Sequence, residues 1–109
     1  MARAVYRIVK RNPPAREDFL SYAALGRVPR SRLTASQRES WAGVSAYDDK
    51  QVARSYALAR PYLGEYIATL VIEDGAPIRI KQTGRVREHH DLWGEPAEML
   101  ARVVAVERA

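Results

Sequence analysis

The chain of 109 residues contains no cysteine. That excludes a disulfide framework, a thiolate nucleophile and a Cys-ligated zinc. No apolar run approaches the roughly 18 to 20 residues needed to cross a bilayer, and Met1-Ala2-Arg3-Ala4 leads into a strand-like segment without a signal-peptide core. These absences predict a cytoplasmic protein with no membrane partner. The sequence also lacks a Walker phosphate loop, a nucleophile elbow, a dinucleotide-fold glycine fingerprint and any paired-carboxylate spacing that singles out a hydrolase. Internal repeats, heptad arrays and low-complexity tracts are missing too, and strands and helices do not alternate regularly as a doubly wound parallel sheet requires.

What is present describes an ordinary globular chain. Hydrophobic residues make up 47% and charged residues 28%, which suits one domain spanning residues 1–109 with a core of its own. The net charge of +5 is uneven. Residues 1–38 hold nine Arg and Lys against Glu17 and Asp18, whereas residues 39–109 hold nine against eleven acids. A basic first third implies an anionic partner: a nucleotide, RNA or an acidic protein.

The patterning predicts an α+β fold, a single compact domain with a twisted, largely antiparallel sheet and two or three helices. Ala4 to Lys10 alternates as a first strand and stops at Asn12-Pro13-Pro14. Ala15 to Leu25 reads as a helix with Phe19, Tyr22 and Ala23 on one face and Gly26 as its stop. Residues 26–34 form a flexible basic loop. Thr34 or Ser36 caps a short helix toward Trp41, with Glu39 at capping-box spacing from Ser36. Gly43 to Tyr47 is a second strand, and Asp48 caps a helix through Arg60 along the stripe Val52, Tyr56 and Ala59. Glu65–Ile72 and Ile78–Lys81, joined by Glu73-Asp-Gly-Ala-Pro77, read as a hairpin. Pro96 opens a last helix, and Val103 to Val106 is a closing strand.

The segment Arg85 to Gly94 carries the most pointed chemistry. His89 and His90 are the only two histidines, and imidazole is the side chain best suited to proton exchange near neutral pH. In a strand they face opposite sides; in a tight loop both could face one cleft. Glu88 and Asp91 could assist them. Arg85 and Arg87 could hold phosphate while Trp93 stacks on a ring, or Trp93 simply pins a loop to the core. The spacing matches no usual zinc motif, so no metal is expected. Arg7 shares a strand face with Val5 and Val9 and needs a partner or a ligand there, with Ser45 able to hydrogen-bond that ligand.

Tyr6-Arg7 on a first strand, Gly43-Val-Ser45 on a second and a helix following Asp48 together resemble the core layout of ADP-ribosyltransferase-like domains, including small bacterial toxins. The resemblance covers roughly residues 5–60. It implies that Arg7 and Ser45 contact NAD, in a toxin or phage-conflict setting where a cognate antitoxin or another protein could be a partner. The late Gln-x-Glu or Glu-x-Glu of that family is not found, and Glu107 is the only carboxylate on the terminal strand. An alternative reading is an RNA-binding protein or metal-independent endoribonuclease toxin. There Arg27, Arg30 and Arg32 bind phosphate, Trp41 or Trp93 stacks, and His89 or His90 performs acid-base cleavage. A non-enzymatic protein-interaction module is the third reading.

Overall fold

A computed structural model describes all 109 residues. Six strands follow from the apolar alternation: β1 (Arg3–Val9), β2 (Val44–Tyr47), β3 (Tyr66–Ile72), β4 (Arg79–Gln82), β5 (His89–Trp93) and β6 (Val103–Arg108). They form one sheet in the order β4-β5-β2-β1-β3-β6. Every neighbouring pair is antiparallel. Three α-helices accompany it: α1 (Ala35–Trp41), α2 (Lys50–Ala59) and α3 (Pro96–Leu100). The radius of gyration, 13.1 Å, is what a compact chain of this length should have, about 13 Å. No helix is long and apolar enough to cross a membrane.

Both faces of the sheet are covered, and β1 shows why. Val5 and Val9 enter one apolar cluster with Phe19, Ala68, Leu70, Leu92 and Met99, while Ile8 enters another with Tyr47, Ala53, Ala57 and Ile67. Phe19, from a 3-10 turn over Arg16–Phe19, and Met99, from α3, close the first face. Each is about 1% exposed, and burial of such a side chain is worth roughly 1.5–3 kcal/mol. The second face is closed by α2, whose Ala53 and Ala57 are small enough to bring the helix axis close to the strands.

Three local expectations are corrected, and one left open between two residues is decided. No helix spans Ala15–Leu25: the 3-10 turn ends at Leu20, whose backbone is extended, and turns follow to Gly26. Asp18 explains the break, because its buried carboxylate accepts the backbone N–H of Lys10 and of Ala15, both at 2.9 Å. Those bonds fold the segment back onto the end of β1 instead of letting it propagate as a helix. Of the two residues expected to cap α1, Thr34 does so, in a reciprocal box with Gln37. The cap of α2 is Asp49, whose carboxylate accepts from Gln51 and Val52, and not Asp48. Finally, β3 and β4 are not a hairpin. Both edges of β3 are occupied, by β1 and β6, so β4 crosses to the far side and forms a hairpin with β5 instead.

One irregularity positions everything that follows. β1 and β2 are registered only at Tyr6↔Tyr47. Continuing that register would bring Ile8 opposite Ser45, but the strands part before reaching it, and the sheet opens there.

Candidate functional site

Arg7 stands at the opening. Its Nε donates to the carbonyl of Asp18 at 2.8 Å and its Nη1 to the carbonyl of Ser45 at 2.6 Å. The second bond takes the place of the strand pairing that Ser45 lacks on the side where β2 leaves β1. The guanidinium also lies 5.9 Å from the centre of the Phe19 ring. Burial pushes it down to about 10, against the opposing pull of Asp18, Tyr22 and Tyr47, so it remains charged at neutral pH. Two of its five N–H donors are taken, and Nη2 has no protein partner.

A groove runs through this opening in three parts. At one end a chamber of about 430 Å³ is bordered by Lys10, Arg11, Arg27 and Tyr62. At the other a chamber of about 590 Å³ is bordered by Trp41, Lys81, Thr83, His89 and Asp91. A narrower neck of about 160 Å³ lies between them, sharing Arg7 and Tyr22 with the first and Ser45 and Tyr22 with the second. Tyr22 thus lines all three parts. It packs against Trp41 with ring centres 4.9 Å apart, and the Arg27 guanidinium lies 5.1 Å from its ring.

The strand registers decide which side chains meet here. Tyr47 is opposite His89 and Ser45 is opposite Asp91 between β2 and β5, and opposed residues of an antiparallel pair share a face. His89 therefore points toward Ser45, with Nε2 3.1 Å from Ser45 Oγ. Its Nδ1 lies 3.1 Å from the carbonyl oxygen of Thr83 and 3.0 Å from Thr83 Oγ1. Thr83 Oγ1 in turn donates to Asp91 Oδ2 at 2.9 Å. A carbonyl only accepts, and the Thr83 hydroxyl has already committed its hydrogen to Asp91. Both neighbours require the hydrogen of the neutral imidazole on Nδ1. The lone pair of Nε2 then faces the Ser45 hydroxyl, which donates to it. The result is a directed chain from exposed Ser45 through His89 and Thr83 to Asp91, which is 2% exposed.

His90 turns to the other side. It is 7% exposed, with Nδ1 3.1 Å from the Glu88 carbonyl and Nε2 3.3 Å from Arg3 Nη2. The two histidines thus do not share a cleft, as strand geometry requires. Trp93 is wedged beneath α1: its indole N–H donates to the Glu39 carbonyl at 2.9 Å, and Arg79 lies 4.5 Å from its ring. A Cβ on Gly43 would sit 3.0 Å from that indole, so glycine is what lets β2 pass so close. Arg85 and Arg87 are exposed in the turn between β4 and β5, outside the groove. That turn is held by the Gln82 amide, which donates to the carbonyls of Thr83, Gly84 and Val86. Glu107 is on β6, tied to Arg54 at 2.7 Å and Lys50 at 3.5 Å.

The basic loop brackets the groove. Arg27 borders one chamber and Leu33 the other, and Arg30 and Arg32 between them are exposed and unpaired. Of the residues expected from sequence, Arg7, Ser45, His89 and Arg27 come together along one groove, while His90, Trp93, Arg85 and Arg87 do not join them. Sequence reasoning missed Tyr22, Thr83 and Lys81 as lining residues, and saw Asp91 only as a neighbour of the histidines. Nothing in spacing alone marks them; the strand registers do. No family model, curated protein or solved structure matches the chain, so its function is argued from the groove itself.

Proposed function

We propose that this chain is an NAD-binding domain of ADP-ribosyltransferase type, acting in a toxin or phage-conflict setting. A single observation carries the reading: two chambers on either side of a neck at which the charged, partly unsatisfied guanidinium of Arg7 stands beside Ser45. A dinucleotide has the matching form, two nucleoside ends joined by a diphosphate, and an arginine fork is the natural partner of that diphosphate. Each end chamber falls within the roughly 300–1,000 Å³ common for small-molecule sites. Tyr22 and Trp41 line the larger chamber with aromatic surface, and the Ser45 hydroxyl stands near it, where a ribose would lie.

The test is thermal unfolding with and without NAD. At a hundredfold excess over Kd, ligand stabilises by about 2.7 kcal/mol, on the order of 10 °C for a domain of this size. The shift should appear with NAD and vanish in Arg7→Ala. Unchanged melting with saturating NAD and ADP-ribose refutes the reading.

The bracketing of the groove by the basic loop favours a second reading, in which RNA lies along it and Arg27, Arg30 and Arg32 hold its phosphates. Binding would then weaken steeply as salt rises, with a log-log slope of about −0.7 per phosphate contacted. His89 alone, not the pair, would serve as the acid-base group.

A further inference from the structure

We infer that Ser45 is a nucleophile, activated by His89, that takes an ADP-ribosyl group from NAD onto its own hydroxyl. The inference rests on the NAD-binding reading and deepens it.

A serine hydroxyl is a poor nucleophile unless a base waits for its proton. Here the base is placed and its tautomer is determined twice over, by the Thr83 carbonyl and by the Thr83 hydroxyl already donating to Asp91. Nε2 is left to accept from Ser45 Oγ at 3.1 Å. The arrangement has the parts of a nucleophile, a base and an orienting group that holds the base. Thr83 stands between the base and a carboxylate that is 2% exposed, so Asp91 acts on the imidazole through that hydroxyl. Thr83 and Asp91 are positioning residues, because neither reaches the reacting atoms.

The Thr83–Asp91 bond satisfies a buried carboxylate, but the Ser45 end of the chain is open to solvent. Val44 and Ala46 anchor β2 in the core on the opposite face, whereas Ser45 is exposed at the junction of the neck and the larger chamber. No carboxylate contacts Ser45 directly, and Glu107 is occupied by α2. The two carboxylates that border the larger chamber are engaged, Glu39 by Arg79 and Lys81 and Asp91 by Thr83, so an attacking group already in place matters more there, since orientation substitutes for electrostatic help.

The step balances within the proposed ligand. The bond between the anomeric carbon of the nicotinamide ribose and the pyridinium nitrogen breaks, and its electron pair leaves with neutral nicotinamide. Ser45 Oγ bonds to that anomeric carbon, and the hydroxyl proton passes to His89 Nε2. No oxidant, reductant or further reactant is needed.

The full chain is incubated with NAD and its intact mass followed, with the modified residue located by fragmentation and binding monitored by the melting shift. The expected result is a gain of one ADP-ribosyl group on Ser45, absent in Ser45→Ala and at least tenfold slower in His89→Ala. Thr83→Val should slow the adduct and Thr83→Ser, which puts the hydroxyl back, should restore it, a rescue of the chemical step read on the adduct rate and not on binding. A melting shift with no adduct, or an adduct on another residue, overturns the inference and leaves the NAD-binding reading standing. Neither shift nor adduct removes both.

Discussion

Arg7→Met isolates what the guanidinium does in the unliganded protein, because methionine is similar in length and carries no donor. The change strips two bonds at 2.8 and 2.6 Å, to the carbonyls of Asp18 and Ser45. Bonds from a charged donor are worth roughly 1.5–3 kcal/mol each, so the gross loss is about 3–6 kcal/mol. Part of it is offset: burial depresses the guanidinium to about 10, and an apolar side chain relieves that desolvation. A net destabilisation of about 2 kcal/mol follows, on the order of 10 °C in Tm. Urea unfolding monitored by Trp fluorescence should show a lower midpoint with an unchanged slope. A variant within about 0.5 kcal/mol of the parent, no more than an ordinary surface substitution, would show that Arg7 does not hold β2 at the opening.

Three further outcomes follow from other parts of the molecule. His90→Ala should cost about 1–3 kcal/mol by removing a buried, bonded ring while leaving the NAD-induced melting shift intact. His89→Ala should do the reverse to the adduct rate, with far less effect on stability; equal effects from both would refute the assignment of faces. Gly64→Ala should destabilise by roughly 3 kcal/mol or more, measured by chemical denaturation. At φ +148° its Cβ would fall 2.3 Å from the Val9 carbonyl oxygen. Glu73 is held below its usual 4.5 first by its hydrogen bond to Arg102. A depressed carboxylate contributes stability above its unfolded value that is lost as pH falls through the folded one. Melting temperature should therefore decline below about 4.5, and less steeply in Glu73→Gln.

The parts of the fold that were legible in sequence are those set by local alternation and punctuation. β1, β2, β3 and β6 lie close to where apolar periodicity puts them, and Pro96 begins α3 as a proline at the first helical position should. The segment after Pro14 departs from its helical apolar spacing because the competing force is tertiary. Asp18 draws in two backbone amides of residues before the turn, and no periodicity encodes that. The pairing of β4 failed for a similar reason. A turn-like Glu73 to Pro77 favours a hairpin locally, but whether β3 has a free edge depends on β1 and β6, both distant in sequence. For the site, residue type was enough to single out Arg7, Ser45 and His89. Which histidine turns toward Ser45 follows from a cross-strand register, Tyr47↔His89, fixed by contacts more than forty residues apart. Thr83 illustrates the limit, for an ordinary threonine at the end of β4 becomes informative only once its neighbours are in place.

The parting of β1 from β2 has a mechanical meaning. With registered pairing at one position, the sheet is two three-stranded leaves, β4-β5-β2 and β1-β3-β6, stitched at Tyr6 and Tyr47. Arg7 is a second stitch made from a side chain, and the apolar faces beneath and above supply the rest. Any molecule lodged in the neck touches both leaves at once. Occupancy and the angle between the leaves are then two sides of one equilibrium, and the amides bordering this seam should be where ligand slows hydrogen exchange most.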